Sequence, residues 1–130
     1  MRAIEFTLPI PPSVNRYWRL FNMGGFARVI LSKDGRKYKD TVRGMIYKHC
    51  QEHKISIGKG QELFTGRVGI SVMLCPRNKK ACDIDNYLKA SLDALTAAHV
   101  WVDDSQIDSI YMIRGAIKKG GELKIQIREL

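Results

Sequence analysis

The apolar residues of this 130-residue chain change their spacing along its length, and each change restricts the backbone to one kind of element. Ile4, Phe6, Leu8 and Ile10 alternate with Glu5, Thr7 and Pro9, which predicts a strand stopped by Pro11-Pro12. Residues 13–31 read as a loop rich in arginine and aromatic side chains, with Gly24-Gly25 at its middle. Ser32 is a suitable N-cap. Beyond it Tyr38, Val42, Met45, Ile46 and Cys50 recur at helical spacing, predicting a helix to about His53. Val68, Ile70, Val72 and Leu74 share one face of a second strand, which Pro76 ends. Leu88, Leu92 and Leu95, at i, i+4 and i+7, predict a second helix from about Asp85 to Ala98. Two further strands, 109–117 and 122–128, complete the pattern, and Lys118-Lys119-Gly120-Gly121 between them reads as a hairpin turn. No repeat, low-complexity tract or linker divides the sequence, and this length suits one core, so a single domain over 1–130 is expected. Strands and helices are mixed without strict strand–helix–strand repetition. The expected class is α+β, with one mixed sheet of about four strands and two main helices packed on it.

Several function classes recede at once. No apolar run approaches the ~18 residues that suggest a membrane span. The start, Met1-Arg2-Ala3-Ile4-Glu5, lacks a secretory apolar stretch, so a cytoplasmic protein with no membrane partner is expected. Cys50, Cys75 and Cys82 are odd in number and widely spaced, which speaks against a disulfide framework. His49 and His53 have metal-ligand spacing on a helix, but no second ligand pair matches them.

Charge is more informative. Twenty-two Lys and Arg against thirteen Asp and Glu give a net +9, which points to a polyanionic partner, nucleic acid ahead of an anionic membrane. Residues 83–108 nevertheless hold six acids (Asp83, Asp85, Asp93, Asp103, Asp104 and Asp108) and one base, Lys89, for a net −5, leaving +14 on the remainder. Phosphate binding alone disfavours such an acidic island. Divalent metal facing a phosphate backbone is one reason for it.

On the second predicted helix Asp85, Lys89 and Asp93 recur every four residues and so share a face away from the leucines. Asp83 sits in the approach to that helix, and Asp103-Asp104 follow it after Val100-Trp101-Val102. A structural reading also exists, in which Asp85 caps the helix and pairs with Lys89 on the surface. Against it stand the second acidic pair and the basic turn Arg77-Asn78-Lys79-Lys80 just before Asp83, which would bring phosphate to the carboxylates. Magnesium prefers hard oxygen ligands and keeps several waters, so two or three carboxylates from separate elements suffice to hold it. Aspartates gathered together repel until a cation neutralises them. A lysine beside them is suited to charge building up on a scissile phosphate.

The run Cys82-Asp83-Ile84-Asp85-Asn86-Tyr87-Leu88-Lys89-Ala90-Ser91-Leu92-Asp93-Ala94-Leu95 resembles the D-[LI]-D-N-x-x-K-x-x-x-D-x-L signature of the RusA Holliday-junction resolvases. Trp101-Val102-Asp103-Asp104-Ser105-Gln106 is similar to that family's W-x-D-D-x-Q, and Pro11-Pro12-Ser13-Val14-Asn15-Arg16-Tyr17 to its P-P-S-x-N-R-Y. Gly120-Gly121-Glu122-Leu123 fits the family's last hairpin, so the match runs in order over nearly the whole chain. The resemblance implies a magnesium-dependent endonuclease, a homodimer that binds four-way DNA junctions and nicks two opposing strands in recombination and repair. By position it implies Asp83, Asp85 and Asp104 as metal ligands and Lys89 as the essential lysine. Asp103 is left between ligand neighbour and turn residue, and Asp93 between orienting Lys89 and a structural role. Asn15, Arg16, Arg77, Lys79 and Lys80 are the expected DNA contacts, with Tyr17 and Trp18 either stacking on bases or buried. One departure is that Lys79-Lys80 is followed by Ala81-Cys82, where the family's basic run is denser in arginine and reaches the first aspartate. Two other readings stay open: a less selective metal-dependent nuclease on flaps or forks, and a DNA-binding module without catalysis.

Overall fold

In the computed structural model residues 2–130 are described, the side chains of 14, 15, 18, 21–23 and 26–28 excepted. The elements are β1 (Ala3–Leu8), a short α1 (Val14–Tyr17), β2 (Trp18–Met23), β3 (Phe26–Leu31), α2 (Lys33–Glu52), β4 (Val68–Cys75), α3 (Leu88–Ala97), β5 (Ile107–Arg114) and β6 (Glu122–Glu129). Four strands form one mixed sheet in the order β1-β6-β4-β5, antiparallel except for the β4–β5 pair, with β2 and β3 as a separate hairpin. The expected α+β architecture of two main helices on a four-stranded sheet is therefore what the chain adopts.

Period-two patterning produces the buried face. Val68, Ile70, Val72 and Leu74 on β4 and Leu123, Ile125 and Ile127 on β6 are inaccessible to solvent or nearly so, and Phe6 and Leu8 extend that face on β1. Tyr38, Val42, Ile46 and Cys50 of α2 and Leu92, Ala94 and Leu95 of α3 pack against the sheet residues in one core. The Ser32 hydroxyl accepts from the Gly35 amide at 3.0 Å, the N-cap expected for α2. Met45 departs from the expected stripe and lies 40% exposed. No helix is long and apolar enough to cross a membrane among the described residues.

Two connections differ from their sequence reading. Residues 18–31 form the β2–β3 hairpin rather than a loop. Gly24 and Gly25 both have positive φ, which lets a two-residue turn follow the twist of the strands it joins, with Met23 opposite Phe26. The turn at 118–121 is real, with the Gly121 amide donating to the Lys118 carbonyl at 2.8 Å, but it joins no hairpin. β6 instead inserts between β1 and β4, while β5 lies parallel to β4 at the sheet edge. Burial accounts for the order. Leu123, Ile125 and Ile127 need cover that a central strand has, whereas β5 carries Asp108, Ser109 and Arg114 and is mostly exposed. Parallel strands require a long crossover, and residues 76–106 provide it. Every predicted catalytic residue lies on that crossover.

Candidate active site

The crossover leaves β4 at Pro76 and reaches Asp83, whose backbone is extended and whose carboxylate caps nothing. Ile84–Tyr87 then make one 3-10 turn, with the Asn86 amide donating to the Asp83 carbonyl at 3.1 Å, before α3 begins at Leu88. The helix expected from Asp85 thus starts three residues later. Asp and Asn side chains favour turns over helix interiors, which suits this start. Asp85 lies on the 3-10 turn, so the four-residue face holds for Lys89 and Asp93 and does not extend back to it. Asp83 and Asp85 are both exposed. Arg114 reaches over from β5 and donates to the Cys82 carbonyl at 2.6 Å and to its thiol at 3.2 Å, fixing the residue before Asp83. Nothing local in the sequence marks that contact, because its partners lie 32 residues apart.

Lys89 is the meeting point of the two acidic segments. Its ammonium lies 3.0 Å from Asp93 Oδ1, one turn along α3, and 3.6 Å from Asp104 Oδ2 beyond the helix. Hydrogen bonding to Asp93, followed by the attraction of both carboxylates, raises the lysine above its ordinary range and keeps it charged. The other oxygen of Asp93 accepts a hydrogen bond from the Tyr17 hydroxyl at 3.3 Å. Tyr17 is buried at the end of α1, so of its two sequence readings the structure shows burial. Burial first, and Asp93 second, push its phenol well above the usual tyrosine range, and the hydroxyl remains a donor.

The Trp-Val-Asp-Asp-Ser-Gln segment divides its labour by side chain. Trp101 is fully buried and donates through Nε1 to the Thr96 hydroxyl at 2.6 Å, anchoring the exit from α3. Asp103 caps the 3-10 turn Asp104–Gln106 by accepting from the Ser105 amide, and hydrogen bonding to Ser105, through its hydroxyl first and its amide second, holds the carboxyl below the usual range. Asp103 is therefore a capping residue. Gln106 accepts from the Val102 and Asp103 amides at 2.8 and 3.0 Å and donates to the Phe64 and Gly66 carbonyls at 3.0 and 2.8 Å. Arg67, at the entry to β4, donates to the Ser105 carbonyl at 2.8 Å and pairs with Asp108, so the turn is held from two sides. With its neighbours fixed, Asp104 faces Lys89 at 3.6 Å.

Arg77, Lys79 and Lys80 are exposed on the turn before Asp83. A cavity of about 390 Å³ joins Lys79 and Lys80 to Asp83 and Arg114, and one of about 290 Å³ joins Arg77 and Lys80 to Tyr87. Arg77 also borders a 310 Å³ groove that reaches Arg16 and Lys37 of α2, where Arg16 pairs with Asp34 at 2.9 Å. Lys37 and Arg114 thus join the basic surface, though neither stands in a motif. The Asn15 side chain lies outside the described residues. Exposed carboxylates are suitable oxygen donors for magnesium, yet among the described residues no three His, Cys, Asp or Glu side chains are gathered closely enough to hold a metal. Lys89 supplies the positive charge beside Asp104. His49 on α2 and His53 at its C-terminal cap stack on each other at 4.3 Å, and all three cysteines are free thiols.

Comparison with known proteins agrees with this assembly. Residues 9–128 match the family described as Endodeoxyribonuclease RusA. A crossover junction endodeoxyribonuclease of Enterobacteria phage 82 is 35% identical over 130 residues, covering 100% of this chain and 98% of that protein. The protein of the same name from Enterobacteria phage HK97 is 37% identical over 131 residues, and that of Escherichia coli (strain K12) 34% over 130, each with 98% of its length covered. With both aspartate motifs on one crossover and similarity along the full length, the chain belongs to the RusA family of endodeoxyribonucleases.

Proposed function

We propose that this endonuclease resolves four-way DNA junctions by magnesium-dependent hydrolysis of a phosphodiester in each of two opposing strands. The observation that carries the reading is the contact between the two halves of the acidic island. Lys89 on α3 and Asp104 on the turn before β5 stand 3.6 Å apart. A surface built only for solubility has no need to bring them together. Asp83, Asp85 and Asp104 are the residues that would hold magnesium, which would supply an activated water and stabilise the charge that builds as the sugar oxygen leaves phosphorus. Lys89 stabilises charge developing on the scissile phosphate or its leaving oxygen. Asp93 orients that ammonium from one side. Arg77, Lys79, Lys80, Arg16 and Asn15 contact the phosphate backbone, which positions DNA without reading its sequence.

The active unit is a homodimer, because two opposing strands of a symmetric junction require two equivalent sites. The exposed β5 edge, with Ile110, Tyr111 and Ile113 accessible, supports pairing of two copies. The expected place of work is the cytoplasm.

The test is to incubate the protein with labelled four-way junction, flap and linear duplex, with and without magnesium. Paired nicks confined to the junction and dependent on magnesium are expected. Equal cleavage of flap and junction would assign a less selective nuclease, and tight binding without any cleavage would assign a non-catalytic module.

A further inference from the structure

The four residues linked at the site come from three separate elements. Tyr17 closes α1, Lys89 and Asp93 stand on α3, and Asp104 belongs to the turn before β5. Tyr17 and Asp93 lie 76 residues apart in sequence and meet through the phenol hydroxyl at 3.3 Å. The two oxygens of Asp93 have separate partners, Oδ2 taking Tyr17 and Oδ1 taking Lys89 at 3.0 Å. A carboxylate held at both oxygens has its rotamer fixed. A lysine–aspartate pair one helix turn apart is otherwise an ordinary exposed pair, free to open. The lysine side chain is 56% exposed and that of Asp93 19%, so the partner of the lysine is the better anchored of the two.

Tyr17 is anchored in turn. Its amide donates to the Ser13 carbonyl and its carbonyl accepts from the Ser32 amide, both at 2.9 Å. Gly35 lies so close to the Tyr17 carbonyl that a Cβ there would come within 2.8 Å of it, and no larger residue fits without displacement. The first turn of α2 therefore backs the tyrosine, and the hydroxyl is the part that reaches α3.

We infer that Tyr17 is a positioning residue for cleavage, its hydroxyl holding Asp93 so that Asp93 in turn holds the Lys89 ammonium beside Asp104. The inference rests on the reading of Lys89 as the catalytic lysine. Tyr17 touches no reacting atom. It acts through Asp93, and so ties the N-terminal segment to a site carried by residues 83–104. An ammonium displaced by as little as an ångström is badly placed for charge that develops at one oxygen.

Tyr17→Phe keeps the buried ring and removes the hydroxyl, so it isolates this role. Single-turnover cleavage of labelled four-way junction at saturating protein should slow roughly ten-fold, within the ~10²-fold cost that such a misplacement can carry. Junction affinity should be nearly unchanged, and the thermal midpoint should fall by only the few degrees that one lost hydrogen bond costs. In an Asp93→Asn background the same substitution should cost nothing further, because the hydroxyl works only through the carboxylate. Cleavage by Tyr17→Phe at the wild-type rate, or an equal loss in both backgrounds, would overturn the inference. A second readout does not depend on turnover: ¹⁵N relaxation of the Lys89 ammonium in the full chain without DNA should show greater mobility in Tyr17→Phe. Unchanged relaxation would overturn the positioning role even if Asp93→Asn proved too slow to assay. Wild-type cleavage by Lys89→Ala would instead overturn the reading of Lys89 while leaving the relaxation result to stand or fall by itself.

Discussion

Lys89 carries a charge that two carboxylates keep in place, and its removal has separable consequences. Lys89→Ala should lower the single-turnover cleavage rate by ~10²–10³, the size of effect seen when a charge-stabilising donor is lost from an active site. If saturating DNA restored the rate, the residue would be a phosphate contact and not part of the chemistry. The neighbouring aspartates should behave unlike one another. Asp103 accepts from the Ser105 amide as a cap, a task asparagine also performs, so Asp103→Asn should cleave at close to the wild-type rate. Asp104→Asn, one residue on, should abolish cleavage. Equal losses from both substitutions, read in the same assay, would contradict the division of roles drawn for this turn.

At the scale of elements, the turn that presents Asp104 depends on side chains that never touch substrate. Gln106 is nearly buried and serves two amides and two carbonyls. Gln106→Ala leaves several of these groups without a partner and should cost about 2 kcal/mol or more, since a single buried unsatisfied group costs about 1–3 kcal/mol. Thermal unfolding reads this directly, and an unchanged midpoint would remove Gln106 from the framework of the site. Arg67 offers a pH test. Its hydrogen bond to Asp108 is the main reason that carboxyl titrates below its usual range. A depressed folded value means the pair stabilises the fold above the ordinary carboxylate pKa and ceases to do so as pH falls through the folded value. The gap in thermal midpoint between wild type and Arg67→Ala should therefore narrow on acidification. It should not close, because the bond from Arg67 to the Ser105 carbonyl does not titrate. A gap that widened in acid would refute the assignment. The same elements show what the sequence discloses and what it hides. Wherever one face is buried, as on β1, α2, β4 and β6, apolar spacing revealed the element. The order of β5 and β6 was hidden because a turn signal such as Lys118-Lys119-Gly120-Gly121 reports a reversal of the chain and not which strand it will pair with. The motif aspartates were legible as a set. The contacts of Tyr17, Arg67 and Arg114 were not, since each spans 32 or more residues.

For the molecule as a whole, the +14 carried outside residues 83–108 against −5 within them sets how DNA is held. Log affinity for a junction should fall linearly with log salt, by ~0.9 per phosphate neutralised on duplex arms. Replacing Lys79 and Lys80 together by alanine should flatten that slope by about two if each pairs with one phosphate, and should weaken junction and duplex binding alike. An unchanged slope would move the DNA path away from this turn. Sedimentation at working concentration should show a dimer, and a monomer cutting both strands in one binding event would contradict paired sites. Whether the aspartates of the β4–β5 crossover perform magnesium-dependent cleavage is decided at Asp85. The measurement is single-turnover cleavage of a labelled four-way junction by Asp85→Asn in magnesium, with binding followed on the same samples. Asp85→Asn should give no cleavage with junction binding intact or tighter, because the charge facing phosphate has been reduced; cleavage at the wild-type rate would contradict a catalytic role for these aspartates.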